Sequence, residues 1–420
     1  MKEKYEYIKA GLWANLQYFF KWTLLSCGIG VMGGGVGSLF GHGVRLATEA
    51  FQTYWQLLFL LPAAGVIIVW LYQRFHEEKN QGTNMILAAI SANEKIHLVT
   101  GPLIFISTIL THLTGGSAGR EGAALQIGGS LGSLVGKWTQ LDEKDQRIAV
   151  ICGMSACFGA LFGTPLAAAV FCIEVVRVGV LYSSALFPSV FASFIGAGLA
   201  KQAGLHGERF TILEIPAFGL QPAVAVVFLG LLCALVSVLL CMILHGAEHL
   251  YKRYLPNPYL RILTAGCLLI VLTYLLGTRD YNGSSMGLIE EAMAGKVRYE
   301  AVILKAVFTA VTLGAGYKGG EIVPTLCIGA TFGCVVGTLL GFSPSLCAAC
   351  STAAVFAGVT NCPLASIMIA FEMFGFEAMP YFAIVVAISF ALSGYYGLYH
   401  SQSFVYSKTR AQGIERRVNE

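Results

Sequence analysis

The sequence Gly115-Gly-Ser-Ala-Gly-Arg-Glu-Gly122 places a charged pair, Arg120 and Glu121, among glycines in a hydrophobic chain. The apolar run Pro102–Leu113 precedes it, and residues 123–135 after it carry no charge. A carboxylate at membrane depth is costly and faces a partner, a cavity or a conduction path. Glycines that break a helix there free backbone N–H groups, which bind anions when a helix N-terminus follows. The stretch therefore predicts an anion site beside a titratable Glu121, with a structural Arg120–Glu121 ion pair as the alternative.

The composition predicts a membrane protein. Of the 420 residues, 56% are hydrophobic and 12% are charged. Apolar runs of spanning length recur along the chain, namely Tyr54–Leu71, Pro222–Leu244, Leu260–Leu276 and Tyr381–Tyr396. No signal peptide is evident, and residues 1–22 are expected to form an amphipathic helix on the membrane surface. Their lysines and the basic tail SKTRAQGIERR predict cytoplasmic termini on a multi-pass plasma-membrane protein, and the net charge of +4 gives no reason to expect nucleic acid.

Two short patterns have the spacing of metal sites. Cys347-Ala-Ala-Cys350 lies in a small, apolar helical sequence, where cysteine is expected to pack as a compact hydrophobic side chain. His245-Gly-Ala-Glu-His249 matches the inverted zinc motif, but a zinc site also needs a third protein ligand. An interfacial helix end explains the histidines better, so neither a metal nor a cofactor is expected. For His112, just before the glycine loop, a helix-packing hydrogen bond is favoured over a proton relay.

The chain contains an internal repeat. Several blocks recur in the same order at a nearly constant offset: Gly119, Ile127-Gly128, Pro165-Leu-Ala167 and Glu174 fall on Gly320, Ile328-Gly329, Pro363-Leu-Ala365 and Glu372. Short, interrupted hydrophobic segments at matching positions point to a transporter whose ion site lies where broken helices meet. The predicted fold is an all-α membrane domain of two inverted-topology helical repeats. Repeat one covers about 23–200, a polar linker about 200–221 and repeat two about 222–400, with no soluble domain appended.

Three segments are expected to line the anion site. The first is Gly82-Thr-Asn-Met85, opening a helix at Ile86–Ser91; the second is the Gly119–Gly122 loop; the third is Gly319-Gly-Glu-Ile-Val-Pro324. Proline suits the first turn of a helix because the N–H group that it lacks would have no intrahelical acceptor there. Free amides at these N-termini can bind an anion without a fixed positive charge. The cluster Gly394-Tyr-Tyr-Gly-Leu-Tyr399 could add a phenol hydroxyl, although tyrosines are also common at membrane interfaces.

These residues resemble the CLC family of anion channels and transporters over the whole membrane domain. The family has three ion-binding loops, GSGIP, GREGP and GxFxP, which are GTNMIL, GREGA and GEIVP here. The resemblance implies that Glu121, set between Gly119-Arg120 and Gly122, is the external gating and proton-carrying glutamate. It implies that the amides of Ile322 and Val323 and the hydroxyl of Tyr399 bind the anion. It also implies a homodimer in the lipid bilayer, each subunit with its own pathway. No CBS domains are expected.

The departures from the family pattern are informative. Asn84-Met85 replaces the first-loop serine, and Ala123 replaces the proline after the gating motif. Val175 occupies the position of the internal glutamate of the chloride–proton antiporters, and Glu321 lies where those exchangers have an apolar residue. This combination resembles the fluoride-exporting branch of the family. Some members of that branch have threonine where this chain has Val323.

The sequence thus predicts secondary transport of anions, with fluoride–proton antiport as the first choice. Glu121 and Glu321 are expected to carry the protons; for Glu321 the alternative is a helix cap. Chloride transport, by an exchanger or a passive channel, is the second choice, since passive CLC channels also lack the internal glutamate. An intramembrane enzyme is a remote third, because two GxSxG matches lie in membrane helical sequence and no catalytic residues converge.

Overall fold

Helices dominate the computed structural model, which describes residues 2–92, 94–410 and 412–419. The first eight are α1 (Lys2–Thr53), α2 (Leu61–Arg74), α3 (Thr83–Ala92), α4 (Thr100–Leu113), α5 (Glu121–Trp138), α6 (Glu143–Phe162), α7 (Pro165–Glu174) and α8 (Leu186–Gln202). The next eight are α9 (Leu220–Tyr254), α10 (Pro258–Leu276), α11 (Met286–Met293), α12 (Ala301–Ala315), α13 (Ile322–Leu339), α14 (Pro344–Thr360), α15 (Pro363–Phe374) and α16 (Met379–Leu392). Short 3-10 helices at Trp55–Leu60 and Ser183–Ala185 precede α2 and α8.

The fold combines long helices with short ones. Within the described ranges, seven helical stretches are long and apolar enough to cross a membrane. Seven more of the described helices, including α3, α4, α7, α12 and α15, are shorter apolar helices of 10–17 residues. Short helices that end at membrane depth expose backbone groups, which are tolerated only where protein surrounds them. The prediction of a polytopic helical protein with broken helices is confirmed.

The N-terminal region differs from the prediction. Residues 2–22 are continuous with the rest of α1, which is one helix from Lys2 to Thr53, whereas Met1 lies outside the described residues. The stretch contains no proline, and single glycines are tolerated inside a helix. The interpretation of a separate surface-lying helix is therefore wrong, since these residues extend the first long helix.

Equivalent helices pack equivalently in the two repeats. An ideal Cβ atom on Gly132 would lie 2.1 Å from the carbonyl oxygen of Ala149, so only glycine allows α5 to approach α6 this closely. The matching Gly333 makes the same approach in the second repeat, where a Cβ atom would lie 2.1 Å from the carbonyl oxygen of Cys347. Small residues at such crossings let helix backbones meet in membranes. α6 and α14, apolar on nearly all sides, are consequently buried.

Two carboxylates bind the helices of the opposite repeat. Glu174, the last residue of α7, accepts hydrogen bonds from the N–H groups of Leu364 and Ala365 at the start of α15, at 3.1 and 2.8 Å. Glu372 of α15 accepts the same two bonds at the start of α7, from Leu166 and Ala167, at 3.2 and 2.8 Å. The offset that aligns the two glutamates in the sequence thus corresponds to a reciprocal exchange of helix caps.

A small sheet that the sequence did not predict joins a segment after α7 to the chain that follows the last helix. β1 (Arg177–Val178) pairs in parallel with β2 (Ser403–Tyr406), which pairs antiparallel with β3 (Gly413–Arg417). Val178, Phe404 and Val418 form its apolar core. Lys408, between β2 and β3, donates to Asn361 Oδ1 at 2.6 Å and to Ser393 Oγ at 2.9 Å. These bonds fasten the sheet to the ends of α14 and α16.

Candidate anion site

The N-termini of α3, α5 and α13 meet inside the protein. Gly119 and Gly320 exchange two backbone hydrogen bonds of 2.7 Å in an antiparallel bridge. An ideal Cβ atom on Gly122 would lie 3.0 Å from Gly320 Cα and 3.5 Å from Thr83 Oγ1. The three segments singled out in the sequence therefore lie together. The first helix begins at Thr83, one turn earlier than the predicted Ile86, because the left-handed Gly82 makes the turn before it.

The N–H groups at two of these N-termini have no side-chain caps. Arg120 precedes α5 and Glu321 precedes α13, and neither side chain makes a capping hydrogen bond. The first N–H groups of a helix lack intrahelical partners, which leaves those of Ile322 and Val323 available. Pro324 follows them and has no N–H to satisfy. Uncapped helix N-termini of this kind suit an anion.

Glu121 is buried, with 1% of its surface exposed. Its Oε2 accepts a hydrogen bond from the backbone N–H of Arg120 at 3.0 Å, so the carboxylate folds back onto its own loop. The guanidinium of Arg120 lies 3.5 Å from Glu121 and 3.5 Å from Glu208. Arg120 is thus shared between two carboxylates. Glu208 is a partner that the sequence did not identify.

A cavity of about 580 Å³ leads to Glu121 from one face of the protein. Its walls come from α1, from the α10–α11 connection and from Glu208, and its inner end reaches His112, Glu121 and Val323. Its lining carries three arginines, Arg45, Arg120 and Arg279, and five acids, Glu49, Glu121, Glu208, Asp280 and Glu291, so charges of both signs surround the passage. His112 Nε2 lies 3.4 Å from the carbonyl oxygen of Gly119, the packing contact that the sequence favoured.

Tyr399 is the buried member of the tyrosine cluster, with 1% exposure. Its hydroxyl has no hydrogen-bond partner among the described residues, and it lies within electrostatic range of Glu321. Asn84 Oδ1 accepts a hydrogen bond from the N–H of Ser401 at 3.0 Å, which ties the start of α3 to the Tyr399 segment. Tyr396, in contrast, is 41% exposed, as expected of a tyrosine at an interface. The unpartnered hydroxyl fits the predicted anion ligand.

Two details of the first and third loops, the N–H of Met85 and the side chain of Glu321, differ from the alternatives that the sequence left open. The N–H of Met85 donates to the carbonyl oxygen of Gly82 at 3.2 Å, so only the side chain of Met85 is free to face an ion. The Glu321 side chain makes no capping bond, although its carbonyl oxygen accepts from the N–H and hydroxyl of Thr325 at 3.0 and 2.8 Å. The helix-cap alternative for Glu321 is therefore wrong.

Lys305 is a charged residue of this region that the sequence reasoning missed. It is fully buried in α12, and its Nζ donates to Gly283 O at 2.7 Å, Ser117 Oγ at 2.9 Å and Tyr281 O at 3.3 Å. These bonds join the glycine stretch before Glu121 to the loop that lines the cavity. A lone lysine inside the apolar run of α12 is itself a signal of a functional or structural role at membrane depth.

The candidate metal motifs do not assemble a site. Cys347 and Cys350 are buried, free thiols within α14. His245 and Glu248 occupy one face of α9, but within the described ranges no group of three or more histidine, cysteine or acidic side chains could hold a metal ion. His245 instead contacts His400, with 4.1 Å between ring centroids.

Comparison with known proteins identifies the family. Residues 64–394 match the voltage gated chloride channel family. The chain belongs to this family. It is 34% identical to the chloride/fluoride channel protein of Pseudomonas syringae pv. tomato, over 94% of this chain and 88% of the relative. The H(+)/Cl(-) exchange transporter ClcA of Vibrio cholerae is 25% identical, over 84% of this chain and 82% of the relative.

Solved structures of family members have the same fold. The crystal structure of a CLC-type fluoride/proton antiporter aligns with a TM-score of 0.89 at 32% identity, covering 92% of this chain and 98% of the other. A slow cyanobacterial Cl-/H+ antiporter aligns with a TM-score of 0.77 at 18% identity, covering 89% of this chain and 94% of the other. The resemblance to CLC proteins and the fold of two inverted helical repeats are therefore confirmed.

Proposed function

We propose that this protein is a secondary transporter that exchanges fluoride for protons across the plasma membrane and thereby exports fluoride. The observation that carries the proposal is the convergence of uncapped helix N-termini on one buried carboxylate, Glu121, at the end of an open cavity. Helix N-termini favour an anion, and an internal carboxylate can occupy the same place.

Exchange follows from competition between the carboxylate and the anion. The ionised Glu121 accepts a hydrogen bond from the Arg120 N–H and is close to the loop that an anion would use. A protonated carboxyl group has lost the charge that the N–H groups and the guanidinium favour, so it yields its place to fluoride. Proton binding and anion binding thereby become linked. The anion ligands in this scheme are the loop Gly119–Gly122, the amides of Ile322 and Val323, and the Tyr399 hydroxyl.

Three features favour fluoride over chloride. Asn84-Met85 occupies the loop in which chloride exchangers of the family carry serine, and Glu321 adds a second acid to the third loop. The relatives with 34% and 32% identity are both named for fluoride. Fluoride is small and strongly hydrated, so a site for it depends on strong N–H and O–H donors such as those collected here. Val323 has no side-chain hydrogen-bond donor, so the donors to the anion are the backbone N–H groups and the Tyr399 hydroxyl.

The remaining parts of the proposal concern assembly and orientation. We infer a homodimer in the bilayer with one pathway in each subunit and with both termini in the cytoplasm. The repeats cover about 23–200 and 222–400 of a single membrane domain, joined at about 200–221. In this arrangement the cavity that ends at Glu121 opens to the outside, and the C-terminal sheet lies on the cytoplasmic face.

Chloride transport is the second candidate. Val175 favours it, because this buried apolar residue occupies the position of the internal glutamate of the chloride–proton exchangers. Passive channels of the family also lack that glutamate. A channel would pass the anion without moving protons, whereas an exchanger must show fixed coupling between the two.

Liposomes test both candidates. Purified protein is reconstituted, loaded with fluoride or chloride in turn, and followed with an anion electrode outside while proton uptake is recorded. We expect fluoride efflux to drive uphill proton uptake, and chloride to move much more slowly. Glu121→Gln should abolish coupled uptake because an amide does not titrate. Glu143→Gln, at an exposed position in the first turn of α6, serves as the matched control and should behave as wild type. Chloride moving as fast as fluoride would refute the fluoride assignment, and unchanged coupling in Glu121→Gln would remove Glu121 from the mechanism.

A further inference from the structure

Arg120 contacts two acids at once in the cavity that ends at Glu121. Its Nε lies 3.5 Å from Glu121 Oε1, and its Nη2 lies 3.5 Å from Glu208 Oε1. A guanidinium offers several N–H donors in one plane, so the two carboxylates contact different nitrogens and do not displace each other. The side chain of Glu208 is 33% exposed, whereas that of Glu121 is 1% exposed. Glu208 is thus the partner on the open side of the guanidinium.

The segment that carries Glu208 is fixed by contacts before and after that residue. It connects α8 with α9. An ideal Cβ atom on Gly207 would lie 2.7 Å from Cα of Gly163, the left-handed residue that ends α6. The N–H of Phe210 donates to the carbonyl oxygen of Met373 in α15 at 2.9 Å. The backbone at Glu208 is therefore held against two helices, which limits the conformational freedom that its carboxylate loses on pairing.

The other charged groups of the cavity have partners of their own. The contacts are Arg45 with Glu49 at 3.8 Å, Arg279 with the Gln52 carbonyl oxygen at 3.2 Å, and Asp280 and Glu291 with Arg298 at 3.0 and 3.4 Å. His112, at the inner end, lies within electrostatic range of Lys305, the buried cation of α12. Of the three arginines that line the cavity in the described part of the chain, Arg120 is thus the one that two carboxylates share.

The second partner matters when Glu121 leaves. In the proposed exchange a protonated Glu121 yields its place to fluoride, and Arg120 then loses that negative charge. The Arg120 side chain is only 17% exposed, and a mostly buried cation left without a partner carries a large free-energy penalty. Glu208 remains in contact with Nη2 and keeps Arg120 paired. Because the guanidinium is shared, it also holds the Glu121 carboxylate less tightly before protonation.

We propose that Glu208 is a positioning residue of the exchange, which holds Arg120 while Glu121 is protonated and displaced and thereby sets the pH at which Glu121 yields to the anion. In this role Glu208 acts through Arg120 and carries no proton itself. Loss of the Glu208 charge would leave Arg120 to Glu121 alone. The Glu121 carboxylate would then be stabilised, and a higher proton concentration would be needed to displace it. The inference rests on the proposed fluoride–proton exchange.

The test compares the pH dependence of fluoride efflux from liposomes for wild type, Glu208→Gln and Glu49→Gln. Glu49→Gln is the matched control, because it removes an acid of the same cavity that is 59% exposed and contacts Arg45 instead of Arg120. The wild-type rate should fall as pH rises, since the protonated carboxyl group is the form that yields to the anion. In Glu208→Gln this profile should shift to lower pH by about 0.5–1 unit, which lowers the rate on the alkaline side about three- to tenfold. The Glu49→Gln profile should stay within about 0.2 unit of wild type.

The outcomes separate this inference from the proposed function. Wild type that moves fluoride without protons would refute the exchange and, with it, the role of Glu208. If wild type is coupled, an unchanged profile or a shift to higher pH in Glu208→Gln would refute the positioning role alone. An equal shift in Glu49→Gln would also refute it, because the effect would then be a general loss of negative charge from the cavity.

A second variant covers a failure of Glu208→Gln to fold, which the size-exclusion profile would reveal. Glu208→Asp keeps the negative charge but is shorter by one methylene group, so it withdraws the carboxylate from Arg120 Nη2. A shift of its profile in the same direction would support the proposal, and a wild-type profile would overturn it.

Discussion

The reciprocal caps of Glu174 and Glu372 predict a graded loss of stability. We consider alanine and glutamine at each position. Alanine removes the acceptor for two N–H groups at the start of the opposite helix, whereas the glutamine carbonyl oxygen keeps part of the acceptor. The two sites differ in burial, because Glu174 is 6% exposed and Glu372 is half-buried.

The magnitude follows from these bonds. An unsatisfied buried donor costs about 1–3 kcal/mol, and loss of an N-cap costs about 1 kcal/mol. Glu174→Ala strands the N–H groups of Leu364 and the buried Ala365, so it should lower the free energy of unfolding by about 2–4 kcal/mol. Glu372→Ala should cost about 1–2 kcal/mol, because water can reach the exposed Leu166 N–H. Glutamine should restore about half of each loss.

Denaturant unfolding in detergent, followed by tryptophan fluorescence, measures these differences. Glu290→Ala is the control, since Glu290 is exposed, and it should change the free energy of unfolding by less than about 0.5 kcal/mol. The double variant Glu174→Ala/Glu372→Ala tests whether the two caps act as one unit, since α7 and α15 each hold the other. Equal losses at both positions, or a loss at Glu372 exceeding that at Glu174, would refute the argument from burial.

Three further predictions concern transport and pH. Met85→Ser should raise chloride permeation relative to fluoride, measured as the ratio of the two efflux rates from liposomes, and an unchanged ratio would remove Met85 from selectivity. Glu321→Gln should lose proton coupling in a still-folded protein, as judged by size-exclusion profile and proton uptake; normal coupling would exclude it as a proton carrier. Burial lowers the pKa of Lys408 from 10.5 to about 7, so the folded state binds fewer protons than the unfolded state between these values. The melting temperature should therefore rise from pH 7 towards pH 10 in wild type and lose this slope in Lys408→Met, whereas an equal slope in both would show that Lys408 does not titrate there.

Local patterns were sufficient to predict the parts of the site that lie within single segments. The glycines around Arg120 and Glu121 and the Gly-Gly-Glu sequence at Glu321 indicate helix breaks directly, because glycine before an apolar helix frees N–H groups where an anion can bind. The family resemblance added Tyr399. Its burial, in contrast to the exposure of Tyr396, depends on packing that the cluster itself does not encode.

Contacts between remote segments could not be predicted in this way. Glu208 reaches Arg120 from the segment between α8 and α9, and His400 reaches His245 from the segment after α16. Each of these residues has an ordinary local sequence, so its role follows only from the tertiary structure. The small C-terminal sheet was missed for the same reason, since β1 has two residues and exists only where β2 lies beside it.

The bridge between Gly119 and Gly320 brings two acids to one candidate anion site. At the offset of the repeat, Glu321 aligns with Arg120 and not with Glu121. The two acids are therefore not related by the repeat, although each lies close to one of the equivalent glycines, Gly119 and Gly320. Glu121 lines the cavity, whereas Glu321 lies within electrostatic range of Tyr399 and Glu248. An anion held at the bridged N-termini, as proposed, would lie beside both acids. In the proposed exchange, protonation of either acid removes a negative charge that repels the anion, which links anion binding to proton binding.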